Sequence, residues 1–91
     1  MKATINSKRY NTDNLDVCGH RDHYNNGTYS GTTYLGVHQD GTVIVWTVAN
    51  GNDLWVTDGI HEADASDQID QYDMTEAEEA NAIKHGLITL A

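Results

Sequence analysis

Cys18, His20 and His23 fall within the six residues "CGHRDH", and a thiol with two imidazoles is a set of ligand types that holds Zn²⁺. A closed structural site needs a fourth ligand and paired spacing such as C-x₂-C with H-x₃-H, which the chain lacks. The same residues would serve thiol chemistry only with an activated thiolate, an oxyanion-stabilising group and a base held by a third residue. A stretch flanked by Asn and Gly gives those groups no rigid frame. The expectation is therefore a polar surface loop with Cys18 partly covered and the histidines solvated, no metal or other cofactor, and no catalytic residue. A small metal- or thiol-dependent enzyme centred on Cys18, His20 and His23 is the alternative. No glycine-rich phosphate loop, H-E-x-x-H or G-x-S-x-G occurs anywhere.

The second concentration of chemistry is "HEADASDQIDQYDMTEAEEA", residues 61–80, with eight carboxylates and neither Lys nor Arg. Asp64, Asp67, Asp70 and Asp73 recur at every third position. Catalytic carboxylate pairs need divergent environments inside a cleft, whereas this stretch reads as solvated throughout. A calcium loop alternates its ligands every second residue and carries a glycine, so that match fails. Aspartates three apart would line one side of an extended three-per-turn chain at roughly 9 Å intervals, or drift slowly round a helix. Either way they present a row of anions, which suits a groove lined with Lys and Arg that ordinarily holds nucleic acid. On this reading Asp64, Asp67, Asp70, Asp73, Glu76 and Glu79 bind the basic surface of a protein partner that handles nucleic acid. The plainer alternative is a solubilising face. Trp46 and Trp55 would form a secondary partner-binding surface if exposed, and core if not.

Charge and length narrow the classes further. Residues 1–52 balance four cations against four aspartates, while residues 53–91 set ten carboxylates against Lys84 alone, so the whole net charge of −9 lies in the last two fifths. Such a field repels nucleic acid and membrane surfaces, both anionic, and excludes direct binding to either. With 91 residues, 38% of them hydrophobic, the chain makes one small core and a single domain. The N-terminus has no apolar signal region and no stretch is long and apolar enough to span a membrane. A single cysteine excludes an internal disulfide. These features lead us to expect a soluble protein of a bacterial cytoplasm.

The elements that must position these groups follow from turn chemistry and alternation. "TTYLGVHQ" and "TVIVWTVA" are rich in β-branched and aromatic residues and meet at Asp40-Gly41, a tight-turn dipeptide. Asn50-Gly51 repeats that signal before "DLWVTDGI", the expected third strand. In the central strand Val43, Val45 and Thr47 face one side and Ile44, Trp46 and Val48 the other; a helix is expected to cover the Trp46 side. "KATINSKRYNT" reads as a first strand or hairpin turning at Asn6-Ser7, and residues 11–30 as a long loop with one short strand near Leu15 to Cys18. Thr75 stands three residues before Glu78, a reciprocal capping arrangement, and Gly86 follows Lys84 and His85 as a stop. Ala80, Ile83 and Leu87 would form the apolar stripe of that helix. The fold class expected is α+β: an antiparallel meander of about four strands with one C-terminal helix packed on it.

The opening "INSKRYNTDNLDVCG", the hairpin segments "HQDG" and "VANG", and the later "MTEAEEA" resemble a family of small, mostly uncharacterised bacterial and phage proteins. That family begins I-N-G-K-x-Y-D-T-x-T-A and carries an L-S/T-x-E-E-A helix near its C-terminus. Ser7 stands where the family has glycine, and Leu15 where it has alanine. The resemblance implies a few antiparallel strands followed by a helix, in agreement with the residue patterns. In size and charge the chain is also similar to anti-CRISPR and anti-restriction proteins of mobile elements. That likeness implies a non-enzymatic inhibitor, a nucleic-acid mimic that blocks a basic surface of a host defence complex. A phage structural or assembly protein is a further alternative.

Overall fold

Turn residues set the strand order. Asn6 and Ser7 adopt positive φ, 51° and 66°, the geometry of a two-residue turn whose twist suits paired strands. They join β1 (Lys2–Ile5) to β2 (Lys8–Asn11) as the expected hairpin. Asn26 and Gly27, at φ 52° and 80°, do the same for β3 (Asp16–Asn25) and β4 (Thr28–Val37), each of ten residues. The computed structural model describes residues 1–51 and 56–91.

The long β3–β4 hairpin overturns the expectation of a loop over residues 11–30. The polar letters that suggested a loop belong to an edge strand and a hairpin tip, where side chains meet solvent and hydrophobic alternation is not required. β4 then pairs with β5 (Val43–Ala49), and β5 with β6 (Gly59–Glu62), giving a four-stranded antiparallel sheet in the order β3-β4-β5-β6. Of the stretch expected as the third strand, residues 53–55 lie outside the described residues, and the strand begins only at Gly59. With α1 (Glu76–Lys84) the fold is α+β.

Each face of the sheet has its own core. On one, Leu35, Val37 and Val45 pack with Cys18, Tyr72 and Ala82; on the other, Ile44 and Trp46 pack with Tyr10 and Leu15. Ala82 belongs to α1, so the helix lies on the Val45 side and not, as alternation alone suggested, on the Trp46 side. The physical reason is competition for area. The β1–β2 hairpin lays Ile5 and Tyr10 over Ile44 and Trp46 and fills that face before the helix is reached. Trp46 is 6% exposed and stacks on Tyr34 at 5.4 Å.

The helix ends follow the sequence closely. Thr75 Oγ1 accepts the Glu78 N–H at 3.2 Å while Glu78 Oε1 accepts the Thr75 N–H at 2.8 Å, so both halves of the capping box form. At the far end Gly86 takes φ 73°, and the N–H groups of Gly86 and Leu87 return to the carbonyls of Ile83 and Ala82, a left-handed stop that satisfies orphan acceptors. The inward face is not the predicted stripe: Ala80 and Ile83 are exposed, and Glu78 and Ala82 are buried.

α1 and the segment before it run along the free edge of β3. Asp73 and His20 exchange backbone hydrogen bonds of 2.8 and 2.9 Å, and Asn81 Nδ2 donates to the Val17 carbonyl at 2.9 Å. Lys84 and His85 both reach Asp16 Oδ2, at 3.2 and 2.8 Å, and hold its carboxyl below the usual range, the His85 bond contributing most. Gly19 permits the approach, since a Cβ there would lie 2.8 Å from Tyr72 Cβ.

Candidate functional site

The three residues of "CGHRDH" do not converge. Cys18 is the extra residue of a bulge, because Val17 pairs with Gly36 and Gly19 with Leu35, and the bulge turns its side chain into the core at 0% exposure. Its Sγ donates to the Asp16 carbonyl at 3.4 Å. Burial first, then the charges of Asp16 and Glu78, push the thiol up to about 11. A thiolate nucleophile is disfavoured in such surroundings. His20 Nδ1 lies 2.7 Å from Glu78 Oε1, and His23 Nε2 lies 2.6 Å from Thr33 Oγ1, itself 2.8 Å from Thr47 Oγ1. The residues stand on a strand rather than in the expected loop, and each histidine has a different partner. Among the described residues no group of three or more His, Cys, Asp or Glu side chains is placed to hold a metal ion.

The aspartates spaced by three do not form a row either. The chain turns after Asp64, whose Oδ1 accepts the N–H and hydroxyl of Ser66; these bonds, the hydroxyl foremost, keep its carboxyl below the usual range. Asp67 closes the same turn. Its N–H reaches the Asp64 carbonyl at 3.0 Å, and its Oδ2 accepts the Asp64 N–H at 3.1 Å and lies 3.0 Å from His61 Nε2. Only 13% of the Asp67 side chain remains exposed. A second tight turn spans Ile69–Gln71, and Asp73 follows in its bridge to β3. The segment is thus neither an extended three-per-turn chain nor a helix. Asp64, Asp70, Asp73, Glu76 and Glu79 are exposed, Asp67 is half-buried, and Glu78, expected in solvent, is buried at 8%. What remains of the row is a stretch of four exposed carboxylates, Asp70, Asp73, Glu76 and Glu79, running from the second turn into the first turn of α1.

The secondary surface is absent from one of its two positions, because Trp46 is enclosed by the β1–β2 hairpin and offers nothing to a partner. Trp55 lies outside the described residues. No known protein family, curated protein or solved structure matches the chain.

Beneath the acidic segment is a cavity of about 300 Å³ lined by Leu35, Val43, Ala63, Asp67, Ile69 and Leu87. Strands β4 and β5 form its floor. Ala63 is held over it by an N–H bond to the Val43 carbonyl at 2.9 Å, and the left-handed stop at Gly86 turns Leu87 back toward the sheet. No sequence pattern marked this site, because its walls come from four separate parts of the chain. The described residues contain no helix long and apolar enough to cross a membrane.

Proposed function

We propose that the protein is a non-enzymatic acidic inhibitor that binds and blocks a basic, nucleic-acid-binding surface of a host defence complex, as anti-CRISPR and anti-restriction proteins do. One observation carries this reading. Asp70, Asp73, Glu76 and Glu79 are all exposed along one continuous stretch that contains no cation, in a chain whose net charge of −9 lies wholly beyond residue 52. Anions so gathered are attracted by a Lys- and Arg-lined groove and steer association over a distance set by ionic strength. The buried, protonated thiol of Cys18 and the separation of the two histidines support a binding role over the thiol or metal chemistry first considered.

The test is capture of nucleic-acid effector complexes, with and without their RNA, followed by binding kinetics for the variant Asp70→Asn, Asp73→Asn, Glu76→Gln, Glu79→Gln. Asp64 and Asp67 are left alone because their carboxylates hold a turn. The variant keeps Thr75 and Glu78, hence the helix cap, and should fold. Its association rate should fall by about tenfold or more at low salt while the dissociation rate changes little, and the wild-type affinity should itself weaken steeply with added salt. Binding that is insensitive to both salt and the substitutions would reduce these carboxylates to a solubilising face.

A further inference from the structure

We propose that the cavity beneath the acidic segment is a binding site for a small organic cation: an ammonium group carried on an aliphatic or aromatic body. Its volume of about 300 Å³ falls at the small end of the range occupied by ligand pockets, which are mostly apolar with a few fixed polar groups. Here the apolar part is Leu35, Val43, Ala63, Ile69 and Leu87, and Asp67 is the one lining residue with a polar side chain.

The state of that carboxylate selects the ligand. Asp67 Oδ2 takes the Asp64 N–H and faces His61 Nε2, so the group is already oriented by its own turn and binding need not order it. Among the described residues no donor reaches Oδ1. An ammonium would supply one, as a charge-assisted hydrogen bond of the stronger kind. A neutral ligand of the same shape would gain only the apolar walls, and a carboxylate ligand would meet Asp67 with like charge. The neighbouring Asp64 and Asp70 raise the local concentration of cations without touching the cavity. Each methylene removed from water along the walls multiplies affinity by about fourfold, so chain length and head-group charge should contribute separately. This site faces the sheet rather than the exposed carboxylates of the proposed partner surface, so it does not depend on that reading.

Three isosteric probes decide the matter: n-hexylammonium, 1-hexanol and hexanoate, titrated into the whole protein and followed through the methyl resonances of Leu35, Val43 and Leu87. Hexylammonium should saturate one site about tenfold more tightly than hexanol, and hexanoate should not bind. Asp67→Asn should bring hexylammonium down to the level of hexanol, and Ala63→Leu, which takes up part of the cavity, should weaken both. The proposal is overturned if hexylammonium fails to saturate these methyls, or if hexanol or hexanoate binds as tightly in the wild-type protein. Undiminished hexylammonium binding by folded Ala63→Leu would overturn it as well, since that places the ammonium on the outer acidic face.

Discussion

His20 Nδ1 lies 2.7 Å from Glu78 Oε1, the same oxygen that accepts the Thr75 N–H at 2.8 Å. One carboxylate therefore completes the first turn of α1 and fastens that turn to strand β3. Glu78 is 8% exposed, so both contacts are made where water competes poorly for them.

The two roles separate by mutation. Thr75→Ala removes one half of the capping box and should cost about 1 kcal/mol, a fall of roughly 4–8 °C in melting temperature for a domain of this size. Glu78→Ala removes the other half and the link to His20, and should cost about 2 kcal/mol or more. Adding His20→Ala to Glu78→Ala should then cost less than it does in the wild-type background. Urea unfolding of the set checks this; full additivity would mean that the His20 contact contributes nothing.

Asp40 gives stability a definite dependence on pH. Its Oδ1 accepts the Thr42 N–H at 2.9 Å, and its Oδ2 accepts the Tyr10 hydroxyl at 2.9 Å and pairs with Lys8 at 3.4 Å. The Thr42 backbone bond foremost holds the carboxyl well below its ordinary value of 3.8. A native value below the unfolded one means that the unfolded chain takes up the proton first, so the contribution is present in full above the unfolded value and is lost as pH falls through it toward the native value. The difference in unfolding free energy between wild type and Asp40→Asn should be constant above about pH 5 and shrink below it. A difference that stays level down to pH 2, on the order of the lowest accessible values, would show that the charged form is not what the fold favours.

Cys18 should behave as a hydrophobic core residue. With the thiol pushed up to about 11, the thiolate fraction near neutral pH is on the order of 10⁻⁴, and the side chain is inaccessible at 0% exposure. Iodoacetamide should modify it only at the rate of unfolding, and fully in concentrated guanidinium. Rapid alkylation of the native protein would restore the thiol-enzyme reading to consideration.

The sequence reported the local features and missed those decided at a distance. Asn6-Ser7 and Thr75 with Glu78 act through neighbours a few residues away, and their geometry is as expected. Asn26-Gly27 carried an equally strong signal, but Tyr24, Tyr29 and the surrounding Asn and Thr residues mask the strands it joins, because an edge and a hairpin tip need no alternation. The face taken by α1 depends on where the first hairpin lands, some seventy residues earlier in the chain, which no local pattern encodes. The helix stripe was misread for a related reason: its buried position 78 holds a glutamate whose partner, His20, is 58 residues away. The regular spacing of the aspartates was legible, but the turns that reorient them are set by their own side chains bonding back to the backbone.

Strand β3 has two very different histories on its two sides. Toward β4 its pairings close through a two-residue turn and form on the time scale of a hairpin, microseconds. Toward the helix its contacts span 58, 64 and 69 residues, and each requires most of the chain to be gathered first, at an entropic cost that local pairing avoids. The helix seam is therefore expected to assemble after the β3–β4 hairpin. When it parts, the exposed element is a bare β-edge with the Cys18 bulge inside it, so sub-global opening there would offer a new edge for association between chains.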